Sequence, residues 1–155
     1  MKILGISKNK LKTIDNENGV IMHGLKKSDE VFKGFGEIYF SQVEYKKIKA
    51  WKRHTRMTMN LIVPIGSVKF VFYDESKKLF EEHNIGEHNY FRLTVDPFIW
   101  FGFKGMKEGK NLVMNLANIE HDPNEVERKK TCGSKGLHKC RWPFGRDSHV
   151  DVFED

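Results

Sequence analysis

The sequence predicts an all-β fold, an antiparallel barrel or jelly roll, from two observations. Short segments in which apolar and polar residues alternate recur along the chain, and turns rich in Gly, Asn or Asp separate them, as expected for half-buried strands. No helical period is present before residue 124. About eight such segments follow one another at short spacing, which favours a closed or two-layered antiparallel sheet.

The strands can be placed in order from these patterns. Residues 1–18 end in the turn sequence DNENG, which is a strong turn signal. The predicted strands are then residues 19–25, 36–43, three strands within 48–74, and residues 89–95, 98–106 and 111–118. Residues 75–89 are predicted to be a polar excursion with one helical turn. We expect one jelly-roll domain over residues 1–123 and a partly irregular tail over 124–155, beginning with a short helix at NEVERKK.

The candidate site lies in the central stretch, IKAWKRHTRMTMNLIVPIGSVKFVFYD. Side chains alternate between the two faces of a strand, so Lys52 and His54 are predicted to share one face. The alternation gives one face Ala50, Lys52 and His54, and the other face Lys49, Trp51 and Arg53. The next two strands supply apolar residues, so the pattern predicts a polar pocket in an apolar lining.

Composition narrows the classes of protein. A chain of 155 residues with 39% hydrophobic and 12% aromatic residues is a folded globular domain rather than a disordered one. Its apolar runs are too short to cross a membrane, and its N-terminus lacks the apolar core of a secretory signal. We therefore expect a soluble, cytoplasmic protein without a membrane partner. The net charge of +6 predicts an anionic partner.

Neither a metal site nor nucleic-acid binding is predicted. Cys132 and Cys140 are expected to be free thiols in a reducing cytoplasm. Together with His138 and His149 they match none of the usual zinc-ligand spacings. No nucleic-acid-binding motif is present, and the basic residues bracket a pocket instead of forming a stripe.

Four segments in order, GEIYFSQV, the central stretch, PFIWFGFKGM and NLVMNLANIEHDPNE, resemble the dTDP-4-dehydrorhamnose 3,5-epimerase family over about residues 19–125. The resemblance implies a cupin-like jelly roll and a homodimer in which an N-terminal strand, here residues 19–25, joins the partner's sheet. It also implies a nucleotide-diphosphate-linked 4-keto sugar as substrate, with no cofactor. The implied reaction removes a proton beside the ketone and returns it to the opposite face.

The candidate catalytic residues follow from this resemblance. Lys52 occupies the position of the epimerases' catalytic His, and His54 matches the second His of a G-x-H-x-H pattern in related 3,4-ketoisomerases. The epimerases' acid is a Tyr in the strand matching NLANIEHDP, where this sequence has none, and Glu120 or His121 takes its place. Epimerisation, a 3,4-keto shift and a non-catalytic pocket therefore all stay open.

Six further residues are candidate substrate-binding groups. Guanidinium groups bind phosphates in a bidentate manner, and aromatic rings stack on bases and sugars. The candidates for the diphosphate are Arg53, Arg56 and Arg92, and those for stacking are Trp51, Tyr39 and Trp100. Surface charge is the alternative role for the arginines, and core packing is the alternative role for the aromatic residues.

Overall fold

The structure, a computed structural model, describes residues 2–129 and 150–151. Its strands are β1 (Ile6–Lys10), β2 (Thr13–Asn16), β3 (Gly19–Met22), β4 (Glu37–Val43), β5 (Ile48–His54), β6 (Met59–Ile65), β7 (Ser67–Asp74), β8 (Leu79–Gly86), β9 (Phe91–Val95), β10 (Trp100–Gly105), β11 (Asn111–Ala117), β12 (Val126–Arg128) and β13 (Val150–Asp151). A 3-10 turn at Pro123–Glu125 precedes β12. The predicted all-β fold is confirmed.

Two antiparallel sheets form the body of the molecule. One has the strand order β1-β9-β6-β11-β4, and the other has the order β12-β5-β10-β7-β8, with β13 pairing in parallel to β5. Strands β2 and β3 form a separate hairpin. Because most neighbours in each sheet are not consecutive in sequence, β7 and β8 being an exception, the chain crosses repeatedly between the two sheets, as in a jelly roll.

The core lies between the two sheets, because each contributes alternate residues to one apolar cluster. Leu61 and Leu93 of the first sheet and Phe70, Phe72 and Phe103 of the second belong to it, and all five are buried. This alternation was visible in the sequence, since every second residue of the central strands is large and apolar. The facing surfaces of β4 and β5 lie at one side of this core and carry polar residues.

Two predicted elements were wrong. Residues 79–86, expected in a polar excursion with a helical turn, form strand β8 at the edge of its sheet. Its inward positions include Glu81 and His83, which bind each other at 2.7 Å. The sequence of β8 therefore lacks the alternation of apolar and polar residues that predicts a strand. The expected helix at NEVERKK is also wrong, because Pro123–Glu125 makes a single 3-10 turn and β12 then pairs with β5.

Further differences concern the ends of the chain. The first 18 residues contain strands β1 and β2, which the sequence did not indicate. The sheet continues beyond residue 123, where the tail was expected to begin, because β12 extends it. Cys132, Cys140, His138 and His149 lie outside the described residues, so their predicted roles stay predictions. Within the part of the chain that the structure describes, no helix has the length and apolar character needed to span a bilayer.

Replacing Gly66 with Ala is expected to destabilise the β6–β7 hairpin. Gly66 has a φ of +85°, and an added Cβ would lie 2.5 Å from the carbonyl oxygen of Lys110. Gly109 has a similar φ of +87° but nothing within 4 Å of an added Cβ. We expect Gly109→Ala to lower the free energy of unfolding by about 1 kcal/mol and Gly66→Ala by about 3 kcal/mol, as measured by urea denaturation. Equal losses of stability in the two variants would show that the Cβ added at position 66 does not clash with the Lys110 carbonyl.

Candidate active site

The inward face of β5 differs from the predicted one because the strand contains a β-bulge. Phe101 of β10 pairs with Lys52, while Phe103 pairs with Lys49, so the register shifts between them. Phe101 and Phe103 both face the core, and paired residues share a face of the sheet. Lys49, Lys52 and His54 therefore project inward. Ala50, predicted on that face, instead lies in the apolar cluster on the outer side.

Lys49 is thus a site residue that sequence reasoning missed. Its Nζ donates to the Ser41 hydroxyl of β4 at 3.1 Å, which bridges the two sheets. Lys52 is buried, with 8% of its surface exposed. Two ammonium groups consequently lie on the same face of β5 as His54. No sequence signal marks the bulge except Gly102, whose added Cβ would lie 2.5 Å from the Cβ of Ala50.

The centre of the site is a buried pair formed by His54 and Glu125. Each side chain is only 1% exposed, and the Nδ1 atom of His54 bonds to Oε1 of Glu125. The other oxygen, Oε2, accepts the backbone N–H groups of Thr55 and Arg56 at 3.0 Å and of Met57 at 3.3 Å. Such bonds satisfy a carboxylate that would otherwise be costly to bury.

These contacts fix the protonation of the pair. Burial opposes ionisation of Glu125, but the hydrogen bonds from His54 and the Arg56 backbone outweigh it, so the pKa of Glu125 is lowered. Burial lowers the pKa of His54, with a further contribution from the Lys52 charge, while the Glu125 hydrogen bond opposes it. Since an ionised carboxylate only accepts hydrogen bonds, the neutral imidazole carries its proton on Nδ1.

The second ring nitrogen of His54 is the chemically useful atom. Nε2 is buried, and among residues 2–129 and 150–151 it has no hydrogen-bond partner. The ring stacks against Phe101, with centroids 6.1 Å apart, so its orientation is held from one side by packing and from the other by Glu125. An oriented neutral imidazole with a free lone pair is suited to take a proton from carbon.

Tyr39 of β4 is a further polar group on the inward side. It pairs with Asn115 of β11, and its phenol oxygen accepts a hydrogen bond from the Asn115 amide at 2.9 Å. Burial raises the pKa of Tyr39. The structure thus brings together three of the predicted residues, namely His54, Lys52 and Tyr39.

Three other predicted residues lie on the outer face of the same sheet. Trp51 and Trp100 belong to the outer apolar cluster. Arg53 stacks over the Trp100 ring at 4.6 Å and binds Glu127 at 2.6 Å. The alternation that separates Arg53 from His54 was correctly predicted, and it places Arg53 on the opposite side of the sheet from the imidazole.

Three of the remaining predicted residues are exposed to solvent. Arg56 is exposed and bridges to Asp122 at 2.5 Å. Glu120 and His121 are exposed in the loop after β11, where the His121 backbone N–H binds Glu37 at 2.8 Å.

Arg92 is separated from His54 by the sheet itself. It pairs with Ile62 on the outer face, binds Asp29 at 2.7 Å and the Gly24 carbonyl at 3.0 Å, and lines a separate cavity of about 360 Å³. Its contacts anchor the loop that follows β3.

Glu125 was missed because the sequence placed it in a helix. Asp122-Pro123 was recognised as a helix start, and Asp122 does cap Asn124 at 2.9 Å, but only one 3-10 turn follows. Within the described ranges 2–129 and 150–151, no group of three or more His, Cys, Asp or Glu side chains is arranged to bind a metal ion.

Comparison with solved structures identifies close likenesses. The dTDP sugar isomerase of Desulfovibrio desulfuricans G20 is 34% identical with a TM-score of 0.79, and the match covers 83% of this chain and 85% of that one. A 3,4-ketoisomerase variant of Thermoanaerobacterium thermosaccharolyticum, in complex with TDP-4-keto-6-deoxyglucose, is 19% identical with a TM-score of 0.71, covering 83% and 90%.

A third likeness is to the dTDP-6-deoxy-D-glucose-3,5-epimerase of Legionella pneumophila Philadelphia 1, in complex with dTDP-4-keto-L-rhamnose. It is 13% identical with a TM-score of 0.77, covering 97% and 85%. At these lower identities the last two structures share the fold. No family model matches the sequence, and no curated protein matches it either.

Acidification is expected to destabilise the protein through His54. Because the pKa of His54 is lowered in the folded state, an unfolded chain binds a proton below about pH 6.5 that the folded chain does not. Stability therefore falls as the pH drops below that value. Between about pH 7.5 and about pH 5.5, the free energy of unfolding should fall more in the wild type than in His54→Asn.

The exposed His88, with 93% of its side chain accessible, offers the matched control. His88→Asn should keep the wild-type pH dependence when urea denaturation is repeated at both pH values. An identical slope in wild type and His54→Asn would mean that His54 titrates alike in the folded and unfolded states.

Proposed function

The chain belongs to the family of dTDP-sugar isomerases, cupin-like sugar-nucleotide epimerases and ketoisomerases, and from this premise we propose that it epimerises a nucleotide-diphosphate-linked 4-keto sugar at C3, C5 or both. Membership gives the isomerase class. The single observation that carries the reaction is the unpartnered, buried Nε2 of a neutral His54 held by Glu125. This arrangement supports proton abstraction from a carbon beside a ketone.

His54 is proposed as the base. The ketone at C4 acidifies the C–H bonds at C3 and C5, because the electron pair left behind spreads onto the ketone oxygen. As Nε2 takes the proton, the ring becomes a cation between Phe101 and the Glu125 carboxylate. The carboxylate then stabilises the imidazolium, which lowers the barrier to abstraction.

Lys52 is proposed to stabilise the enolate. Its ammonium lies on the same inward face of β5 as His54, and it is largely removed from solvent. A cation in a site of low dielectric stabilises developing negative charge more strongly than it would in water. The same charge also lowers the pKa of His54, which keeps the base neutral.

The diphosphate is proposed to meet the basic side of the site. Lys49 lies beside Lys52 on the inward face, and Arg56 is exposed at the rim. Arg56 binds Asp122, so it would need to exchange that carboxylate for a phosphate. Of the predicted stacking residues, Tyr39 is the one on the inward side. No contact supports substrate binding by Trp51, Trp100, Arg53 or Arg92.

A 3,4-keto shift is the second candidate function. The resemblance favours it, because Lys52 matches the position of the epimerases' base, whereas His54 matches a position of the ketoisomerases' histidine. In that reaction His54 would remove the C3 proton, the proton of the 3-hydroxyl would pass to O4 in the enediolate, and His54 would return its proton to C4 as the carbonyl forms at C3. The product distinguishes the two functions, because epimerisation leaves the ketone at C4 and the keto shift moves it to C3.

Incubation with a 4-keto-6-deoxy sugar nucleotide in deuterium oxide tests the proposal. The wild-type protein should introduce deuterium beside the ketone, as read by mass spectrometry and ¹H NMR. His54→Asn should lower that exchange by at least about 100-fold, and Glu125→Gln by a smaller factor because the base remains.

Glu127→Gln provides the control, since Glu127 is an exposed carboxylate of β12 that binds Arg53 on the outer face of the sheet. It should exchange like the wild type. Repeating the exchange assay with dTDP-, GDP- and CDP-linked substrates identifies the nucleotide that the protein accepts. A wild-type protein that binds these compounds but exchanges no proton would be a non-catalytic sugar-nucleotide-binding protein.

We further propose that the chain forms a homodimer through the β2–β3 hairpin and strand β4. Val20 and Ile21 are about half exposed on the hairpin, and Ile38 and Phe40 are similarly exposed on β4. Among the described strands, β4 is one of the two edges of its sheet, and an open edge with apolar side chains favours pairing with another chain. Each hairpin would then cover the partner's β4.

Multi-angle light scattering tests the assembly. The wild type should have the mass of two chains, and the double variant Val20→Asp, Ile21→Asp should have the mass of one, because charge cannot be buried in the interface. Leu4, which is 84% exposed elsewhere, gives the control Leu4→Asp, expected to remain dimeric. A monomeric wild type would contradict the assembly.

A further inference from the structure

The hydroxyl of Tyr39 is held in a defined orientation. Its oxygen accepts a hydrogen bond from Nδ2 of Asn115 at 2.9 Å. The orientation of that amide is fixed in turn, because Oδ1 of Asn115 accepts the backbone N–H of Asn60 at 3.1 Å. A backbone N–H can only donate, so the Asn115 atom facing Tyr39 must be the amide nitrogen.

It follows that the phenol proton is directed away from Asn115. The phenol oxygen is the acceptor in its bond to Asn115, and within residues 2–129 and 150–151 its O–H donates to no protein acceptor. An oriented phenol whose proton is not committed to a protein group can donate it to a bound molecule.

Tyr39 lies close to the His54–Glu125 pair. The Asn115 amide that binds Tyr39 also contacts Sδ of Met57 at 3.7 Å. The backbone N–H of the same Met57 donates to Oε2 of Glu125 at 3.3 Å, and Glu125 binds His54. A short chain of contacts therefore connects the phenol and the imidazole across the site.

The two groups belong to opposite sheets. Tyr39 projects inward from β4 in one sheet, and His54 projects inward from β5 in the other. Facing sheets are about 10 Å apart, so side chains from β4 and β5 project into the same space between the sheets. A sugar ring bound with one face against His54 would therefore have Tyr39 on the side of its other face.

We propose that Tyr39 is the acid that completes the epimerisation, donating its proton to the carbon from which His54 has removed one, on the opposite face. This role deepens the proposed function and rests on it. Glu120 and His121, which the sequence suggested for the acid, are exposed in the loop after β11, whereas Tyr39 lies between the sheets on a different strand.

The step balances in protons and electrons. His54 Nε2 takes the proton, the C–H pair forms the C=C bond of the enolate, and the C4 carbonyl pair moves to oxygen. The enolate carbon then bonds to the Tyr39 proton, the carbonyl reforms, and a phenolate remains opposite an imidazolium. Transfer of one proton from imidazolium to phenolate through solvent restores both groups.

The surroundings of Tyr39 suit a donor at neutral pH. Burial raises the pKa of the phenol, and the Glu37 and Glu125 charges act in the same direction, while the Asn115 hydrogen bond opposes them. The phenol is therefore protonated before reaction. After donation, the Asn115 N–H stabilises the phenolate, since a hydrogen bond to a charged acceptor is stronger than one to a neutral acceptor.

Tyr39→Phe separates proton removal from proton return. In deuterium oxide with a 4-keto-6-deoxy sugar nucleotide, this variant should still exchange the proton beside the ketone through His54, within about threefold of the wild type. It should form the inverted product at least about 100-fold more slowly. Tyr73→Phe, which removes the hydroxyl of a tyrosine stacked on Phe80 at the outer face, should behave as the wild type in both assays.

Each alternative outcome has a distinct meaning. Unchanged formation of the inverted product in Tyr39→Phe overturns the donor role while leaving the proposed function intact. Parallel loss of exchange and product, in a variant with a wild-type circular dichroism spectrum, also overturns it, because a donor acts only after abstraction. Absence of exchange in the wild type overturns the proposed function and the donor role together.

Discussion

The bond between His54 and Glu125 is the interaction on which the site and the nearby fold both depend. A buried carboxylate costs several kcal/mol unless it is paired and hydrogen-bonded. Here one oxygen binds the imidazole, and the other accepts backbone N–H groups from the turn that follows β5. The same contacts therefore hold the turn around the carboxylate, bring β12 alongside β5, and leave the ring nitrogen Nε2 without a hydrogen-bond partner among the described residues.

The bulge in β5 gives the two sides of one sheet different chemistry. On the inner side, Lys49 and Lys52 accompany His54, which suits an anionic ligand whose reaction develops further negative charge. On the outer side, Trp51 packs in an apolar cluster and Arg53 is neutralised by Glu127. The positive charge predicted from composition is thus divided between a part that faces the site and a part that stabilises the surface.

Much of the fold was predictable because it depends on a local pattern. Alternating apolar residues in β6 and β7 identified strands and their inward faces directly, and Gly66 marked the turn between them. The pattern failed at β8, where polar residues such as Glu81 and His83 occupy inward positions at a sheet edge. It also failed at Glu125, because a short turn after Pro123 resembles the first turn of a helix.

The site was only partly predictable for a related reason. The shared face of His54 and Lys52 followed from their spacing along one strand. The contribution of Lys49 depends on a one-residue shift in pairing with β10, which moves a side chain to the other face without changing composition. The contact between Tyr39 and Asn115 joins strands that are distant in sequence. Such contacts depend on tertiary structure, and alternation within one strand does not encode them.

The most direct test of the account is the protonation state of His54. Long-range ¹H–¹⁵N correlation spectra of the protein labelled with ¹⁵N-histidine at about pH 7 should contain one imidazole with a protonated Nδ1 and an unprotonated Nε2, and this signal should vanish in His54→Asn. A His54 that carries its proton on Nε2, or on both nitrogens, would contradict the account, because the lone pair assigned to the reaction would not exist.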